Sequence, residues 1–223
     1  MRNKENRFLM YKRYIKRLLD IIGSLTAIII LLPVYILIAF AVFFGMGHPV
    51  LFAQERIGQG GKTFKLYKFR SMTDARDNEG NLLEEEKRLT KLGIFLRSSS
   101  LDELPELFLI LKGDMSFIGP RPLPTYYAPY FYKKEWARHK VRGGLIPPDS
   151  LSHKVFTTWE EQFEYEVYYA EHVSLLLDIR VMVTTLEILV KRVIFNYGAE
   201  FRPHLNVYRK SKMGANDEVH HAN

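Results

Sequence analysis

The apolar positions of this chain fall into patterns of different period. From Ile21 to Phe44 no charged residue occurs, and an unbroken helix of that length would be ~36 Å long, enough to cross the hydrocarbon core of a bilayer. Thr63-Phe64-Lys65-Leu66-Tyr67-Lys68-Phe69-Arg70 instead alternates apolar with mostly basic residues, the period of a half-buried strand. With Val50-Leu51-Phe52 before it and a Gly60-Gly61-Lys62 turn between, residues 50–70 read as extended chain folded back on itself. Residues 100–112 read as a short helix, with Ser100 and Glu103 in the spacing of a capping box. Residues 159–171 look helical, with Phe163, Val167 and Ala170 along one face. Residues 174–195 form the longest helical pattern after the apolar run. Asp178, Arg180, Glu187, Lys191 and Arg192 interrupt that pattern, which predicts a helix packed on the domain rather than a span. Residues 74–88 are charged and predict a surface loop plus helix, and 201–223 a polar, mobile tail.

Two features argue against a plain span over 21–44. Pro33 falls in its middle, where the missing N–H and the ring clash predict a kink or break. Both flanks are basic: Arg2, Lys4, Arg7, Lys12, Arg13, Lys16 and Arg17 before it, and Arg56, Lys62, Lys65, Lys68 and Arg70 after it. Basic flanks prefer the cytoplasmic side. A helix that enters, bends at Pro33 and returns keeps both there, whereas a span sends one across. A cleaved signal is a third reading, but the run is long for one, and Ala39-Phe40-Ala41 lies inside it. Asp20 at the membrane edge either pairs with Lys16 or Arg17 or lies in the headgroup layer.

The 223 residues carry 32 Lys+Arg against 25 Asp+Glu, a net charge of +7. Such an excess suits nucleic acid, an anionic membrane or phosphorylated substrates. The positive charges are spread through the chain without a recognised nucleic-acid motif, so no nucleic-acid partner is expected. The absence of cysteine excludes disulfides and thiolate metal sites and points to a reducing compartment.

Candidate chemistry sits in Arg97-Ser-Ser-Ser-Leu-Asp102-Glu103-Leu-Pro-Glu-Leu107 and, just downstream, in the stretch from Leu111 to Pro122 that ends Gly119-Pro120-Arg121-Pro122. Phosphoryl transfer needs an attacking oxygen and cations for the oxyanions of the transferred group. Asp102 and Glu103 supply carboxylates, and Arg97 and Arg121 flank them. The competing reading is that the two acids merely begin a helix, where carboxylates are favoured. Lys65, with Lys68 and Arg70, would be presented at one surface or end of the strand at 63–70, as ligand contacts or as a solvated face. Arg138 and His139, in a basic stretch from Trp136 to Arg142, are within reach of an anionic ligand. The Tyr-rich run from Thr125 to Tyr132 suits either a membrane interface or core packing.

Taken together, Lys-Arg-Leu-Leu-Asp (16–20), Gln-Glu-Arg-Ile-Gly (54–58), Tyr-Lys-Phe-Arg-Ser-Met (67–72), Ser-Leu-Asp-Glu-Leu-Pro (100–105) and Leu-Lys-Gly-Asp-Met-Ser-Phe-Ile-Gly-Pro-Arg-Pro (111–122) resemble the bacterial sugar transferases, the small monotopic polyprenyl-phosphate phosphoglycosyl transferases. The resemblance runs from about Lys16 to about Arg192. It implies that Asp102 attacks the β-phosphate of a UDP-sugar and releases UMP, leaving a phosphosugar on the enzyme. Polyprenyl phosphate (undecaprenyl phosphate) then takes the phosphosugar. Glu103 activates the acceptor or supports the site, Mg²⁺ is the cofactor with Asp102 as its ligand, and Lys68, Arg70, Arg97, Arg121 and Arg138 bind substrate. The resemblance also implies a re-entrant helix broken at Pro33, anchored with Asp20 in the lipid of the bacterial inner membrane and facing the cytoplasm. Later glycosyltransferases and self-association are the further partners to consider.

The expected fold is α/β but mainly α. A re-entrant membrane helix precedes a small cytosolic domain with surface-lying helices and a short β-sheet. Its parts are a basic membrane-surface helix (1–20), the helix-break-helix (21–45), the catalytic domain (46–200) and the polar tail (201–223). Two departures from the family pattern stand out. Glu106 and Leu109 replace the usual Gln and Asn, and Arg-Gly-Gly-Leu-Ile-Pro-Pro-Asp-Ser (142–150) replaces Pro-Gly-Ile-Thr-Gly with its following Gln. The second segment is expected to touch nucleotide or sugar. A non-catalytic membrane scaffold of the same fold is the alternative reading.

Overall fold

The computed structural model describes residues 10–194 and 202–210. The chain divides into two compact units, one drawn from residues 18–55 and 65–115, the other from 1–17, 56–64 and 116–223. The region expected as one catalytic domain over 46–200 is thus shared between them.

A single helical turn at Tyr11–Ile15 leads into α1, Lys16–Met46. Asp20, Ser24, Ile28, Tyr35, Ile38 and Val42 are its buried positions, spaced by threes, fours and a seven, so they form one stripe. Ile29, Ile30, Leu37, Phe40 and Phe44 lie exposed on the rest of the surface. A helix this apolar with so little of it covered by protein is suited to lipid, where every backbone group must bond within its own segment. The helix continues through Pro33, which lies inside it on the exposed side. The expected helix-break-helix is therefore not seen as an interruption of the helical run. Gly47, at φ 71°, ends the helix by donating its N–H to Phe43 O at 2.8 Å, the left-handed cap that glycine adopts most easily.

The extended reading of 50–70 is met by β1 (Leu51–Ile57) and β2 (Thr63–Phe69), which pair in a two-stranded sheet around a turn at Gln59–Gly61. The charged stretch holds one short helix, α2 (Glu85–Arg88). Then come α3 (Lys91–Ser98) and α4 (Glu106–Lys112). In the unit of residues 18–55 and 65–115 the core is Tyr35, Ile38, Val42, Phe69 and Leu96, with Leu101 and Leu104 packed against it.

The other unit holds a second two-stranded sheet, β3 (Met115–Ile118) with β4 (Gly143–Ile146), then α5 (Trp159–His172) and α6 (Leu175–Ile194). Thr158 and Glu161 make a reciprocal capping box at the start of α5. The Tyr-rich run resolves toward core packing: Tyr127 and Phe131 are buried with Trp159 and Phe163, while Tyr126 and Tyr132 stay exposed.

Residues 202–210 depart from the expected polar tail. They include a helical turn over 205–210. Leu205 is fully buried, Trp159 Nε1 donates to Pro203 O at 3.0 Å, and Arg209 pairs with buried Glu135 at 2.8 Å. Leu205 and Arg209 are its buried side chains, a signal too sparse to register as periodicity. The remainder of that tail, and most of the basic N-terminal stretch, lie outside the described residues.

Asp178 organises the inner face of α6. Its Oδ2 accepts from Tyr11 Oη at 2.5 Å and Lys16 Nζ at 2.8 Å, and its Oδ1 accepts from Tyr169 Oη at 2.5 Å. Lys16 is therefore engaged by Asp178, the position predicted to interrupt an apolar pattern. Asp20, expected at the headgroup layer or paired with Lys16 or Arg17, lies on the protein-covered stripe of α1. Removing one member of a buried pair strands the other charge, so Asp178→Ala is expected to lower the unfolding free energy by about 3–5 kcal/mol. Denaturant unfolding in detergent micelles checks this; a loss below about 1 kcal/mol would make the pair energetically idle.

Candidate active site

Asp102 sits on a tight turn between two helices. Ser100, just after α3, has φ 56°, a left-handed conformation uncommon for a residue with a side chain and of order 1 kcal/mol in cost. In that conformation its side chain makes no capping bond. Its carbonyl instead accepts the Glu103 N–H at 3.2 Å. The predicted capping box is thus not formed, and one helix over 100–112 becomes a single 3-10 turn at Leu101–Glu103 followed by α4. Leu101 and Leu104 point into the core, and Tyr35 Oη of α1 donates to Leu104 O at 2.6 Å. These contacts fix the turn and leave Asp102 8% exposed.

The cations around it come from two neighbouring elements. On β2, alternation places Lys68 on the same face as buried Leu66 and Lys65 on the opposite, exposed face. Of the strand cations, Lys68 therefore serves the site and Lys65 is solvated. The Lys68 ammonium pairs with the Glu103 carboxylate and lies 3.4 Å from Glu106. Arg97 is on the last turn of α3, and its Nε donates to Ser71 Oγ at 3.0 Å. The register of α3 is set by Gly93, where a Cβ would lie 1.9 Å from Ser71 O; only glycine permits so close an approach.

Burial pushes the Asp102 carboxyl above the usual carboxylate range. Lys68 and Arg97 oppose that rise and Glu103 adds to it. A buried carboxylate beside two cations is poorly hydrated yet has charge partners for its ionised form, a combination suited to nucleophilic attack on an electrophile that brings negative charge with it. Glu106, noted in the sequence only as a departure from the family pattern, is a buried third acid beside Lys68. No group of three or more His, Cys, Asp or Glu side chains among the described residues is close enough to hold a metal ion by itself.

Two expected ligand contacts have structural occupations. Arg70 is buried and donates to Met46 O and His48 O at 3.1 Å, to Met72 O at 2.9 Å and to Asp74 at 2.6 Å. It serves the carbonyls at and beyond the C-terminus of α1, where cations are favoured. Arg138 is 1% exposed and paired with fully buried Glu166 at 2.7 Å, and His139 beside it is buried too. Charge in the sequence marks such residues as candidate binders; only the fold shows that a carboxylate or carbonyl inside the protein has taken them. Arg121 belongs to the unit of residues 116–223 and its side chain is exposed.

The sequence profile of the family described as bacterial sugar transferase matches residues 11–192. The chain belongs to this family. It is 42% identical over 204 residues to a protein of Bacillus subtilis (strain 168) named uncharacterized sugar transferase EpsL, covering 90% of this chain and 97% of that one. It is 36% identical over 181 residues to the UDP-glucose:undecaprenyl-phosphate glucose-1-phosphate transferase of Klebsiella pneumoniae, covering 76% of this chain and 39% of that protein. It is 31% identical over 194 residues to the UDP-N-acetylgalactosamine-undecaprenyl-phosphate N-acetylgalactosaminephosphotransferase of Aeromonas hydrophila, covering 83% and 45%. The chain thus spans under half the length of these two larger proteins and nearly all of the first. As a member of this family it is a sugar transferase, an enzyme.

The electrostatics of Asp102 carry a directional prediction. Its carboxyl ionises as pH rises through a value already above the ordinary one, and Lys68 is the foremost group holding that value down. Lys68→Met is therefore expected to move the Asp102 titration to still higher pH. Carboxyl-carbon NMR titration of ¹³C-aspartate-labelled protein, with Asp102→Asn to assign the signal, reads this directly. An unchanged or lowered midpoint would mean that Lys68 does not govern the carboxyl.

Proposed function

We propose that this sugar transferase moves a sugar 1-phosphate from a UDP-sugar to undecaprenyl phosphate by double displacement on Asp102. An Asp102 oxygen attacks the β-phosphorus of the donor, the bond from that phosphorus to the bridging oxygen breaks, and UMP leaves with the electron pair. An oxygen of undecaprenyl phosphate then attacks the same phosphorus. The bond to Asp102 breaks, the carboxylate is restored, and undecaprenyl-diphosphate-sugar departs. The observation that carries this reading is the buried Asp102 on a strained, core-anchored turn with Lys68 and Arg97 beside it. A covalent intermediate splits one hard transfer into two easier ones, and the cations oppose the charge that develops on the phosphoryl oxygens. Glu103, paired with Lys68, supports the charge balance of the site. Arg121 enters through its motif alone, as a cation for phosphate oxygens. The names of the Klebsiella pneumoniae and Aeromonas hydrophila relatives each pair a UDP-sugar with undecaprenyl phosphate, which supports both substrate classes.

The donor set suits Mg²⁺ in its usual manner, with one or two carboxylates and substrate phosphates as ligands and water in the remaining positions. Asp102 would hold it together with the diphosphate of the donor, whose oxygens and water would supply the remaining ligands. When bound, the ion would neutralise charge on the diphosphate.

Surface chemistry supports a membrane placement. Along α6, Leu175, Ile179, Met182, Leu186 and Val190 recur on the exposed side, with Leu176 78% exposed. The inner side of the same helix is buried at Leu177, Val181 and Ile188. A helix apolar on both sides, with protein covering one, fits a bilayer surface. Together with the exposed apolar surface of α1 and its basic flanks, this supports a monotopic enzyme of the inner membrane. In that reading it faces the cytoplasm, with α1 bent at Pro33 so that both flanks stay on one side.

Intact-protein mass spectrometry tests the chemistry. Nanodisc-held protein given Mg²⁺ and a panel of UDP-sugars without acceptor is expected to gain the mass of one phosphosugar. Chelation with EDTA or Asp102→Asn should abolish the gain. An adduct that survives Asp102→Asn would remove Asp102 as nucleophile, and UMP release that strictly requires undecaprenyl phosphate would replace double by single displacement.

A further inference from the structure

Glu106 is a carboxylate in a place where one is costly. It opens α4 with its side chain 5% exposed, and a charge so far from water is retained only against a partner. The backbone keeps right-handed helical dihedrals through Leu104 and Pro105. The turn at Leu101–Glu103 therefore runs on into α4, and position 106 falls about one turn beyond both 102 and 103. Like charges at that spacing repel. The Lys68 ammonium offsets the repulsion, for it pairs with Glu103 and lies 3.4 Å from Glu106 Oε1. Lys68, Asp102, Glu103 and Glu106 all belong to the unit of residues 18–55 and 65–115.

The two carboxylates on Lys68 are not equivalent. Glu103 keeps 19% of its side chain in solvent, against 5% for Glu106. The more open acid can turn toward water or a ligand, whereas the enclosed one has little room to leave. A phosphate that approaches Asp102 competes with Glu103 for the ammonium, since both offer oxyanions to the same donors. Held by Glu103 alone, the long stem of Lys68 would regain its rotamer freedom whenever that acid turned away. The contact with Glu106 survives the exchange. An ammonium has three N–H donors and no fixed plane, so it can stay on one carboxylate while it trades the other for a phosphate oxygen. After burial, Lys68 is the strongest influence on the Asp102 carboxyl, and it favours the ionised form.

We propose that Glu106 is a positioning residue: it anchors the Lys68 ammonium beside Asp102 while Glu103 exchanges with a phosphate oxygen of the substrate. The exchange rests on the transfer reading above; the anchoring does not.

Glu106→Gln is the informative variant, since it keeps the shape of the side chain and removes its charge. The experiment uses protein in nanodiscs and compares wild type, Glu103→Ala, Glu106→Gln and Lys68→Met, with Glu106→Gln also combined with each of the other two. The first readout needs no turnover: the rate at which a water-soluble acetylating ester labels Lys68, followed by peptide mass spectrometry. Glu103→Ala alone is expected to raise that rate by less than about threefold, and the added Glu106→Gln by a further factor of about ten, the scale of one lost charged contact. A full rise in Glu103→Ala with nothing added by Glu106→Gln would overturn the proposal. The second readout is the rate of phosphosugar adduct formation at saturating UDP-sugar with Mg²⁺ and no acceptor. Glu106→Gln is expected to lower it about tenfold, as a slightly misplaced group does, with Tm close to wild type. The same substitution should cost nothing further in the Lys68→Met background, since a residue acting through another adds nothing once that other is gone. Additive losses, or a Glu106→Gln protein that forms the adduct at the wild-type rate, would also overturn the proposal. A chain that forms no adduct with any donor would defeat the transfer reading, and the labelling would still decide the anchoring.

Discussion

The hydrogen bond from Tyr35 to Leu104 O is the constraint on which the candidate active site depends. It is made by a polar atom in the middle of an apolar helix and by a carbonyl two residues beyond Asp102. Around it Leu101 and Leu104 pack with Ile38, Val42, Phe69 and Leu96. Without that attachment the left-handed Ser100 and the short turn after it would have little to hold them, since local hydrogen bonds there are few and long. The helix suited to lipid is therefore also the support of the acid that, in the proposed reading, would do chemistry on a lipid phosphate. In that reading an acceptor with an insoluble tail and a charged head meets the protein only near the headgroup plane, and a nucleophile fastened to α1 would need no separate docking element.

Buried charge is used repeatedly and for different ends. Asp178 gathers Tyr11, Lys16 and Tyr169, and Glu135 receives Arg209 from near the C-terminus. Both join segments far apart in sequence, where the loss of one partner strands a charge in low dielectric. Glu166 with Arg138 spends its hydrogen bonds on a loop backbone instead. Lys68 differs again: its two carboxylate neighbours keep a cation beside Asp102 while leaving part of its surface open. Ion pairs that look alike in a sequence count thus divide into ties, a clamp and a reactive setting, according to what else their oxygens and nitrogens can reach.

Local pattern made much of the fold legible. The uncharged run from Ile21 gave α1, the alternation over 63–70 gave β2, and the patterns at 159–171 and 174–195 gave α5 and α6. Each depends on residues a few positions apart, which meet whatever the rest of the chain does. The apparent capping box at Ser100 failed because a competing demand won: the turn must bury Leu101 and Leu104 together, and Ser100 pays with a left-handed conformation. The packed segment at 202–210 was hidden because its contacts with Trp159 and Glu135 are long-range.

What the sequence determined by itself was the chemistry on offer: an apolar helix with basic flanks, a carboxylate pair beside Arg97, and the order of motifs that marks the family. Residue type and near-neighbour spacing suffice for that, because they fix periodicity and the ionisable groups. Only the tertiary structure decided which cations are buried among internal acceptors and which stay exposed. Arg70, Arg97 and Arg138 are equivalent as letters, yet Arg70 is consumed by the end of α1 and Arg138 by Glu166, while Arg97 stays exposed beside Asp102. A guanidinium's role is set by the acceptors within its reach, and those are brought there by chain closure over tens of residues.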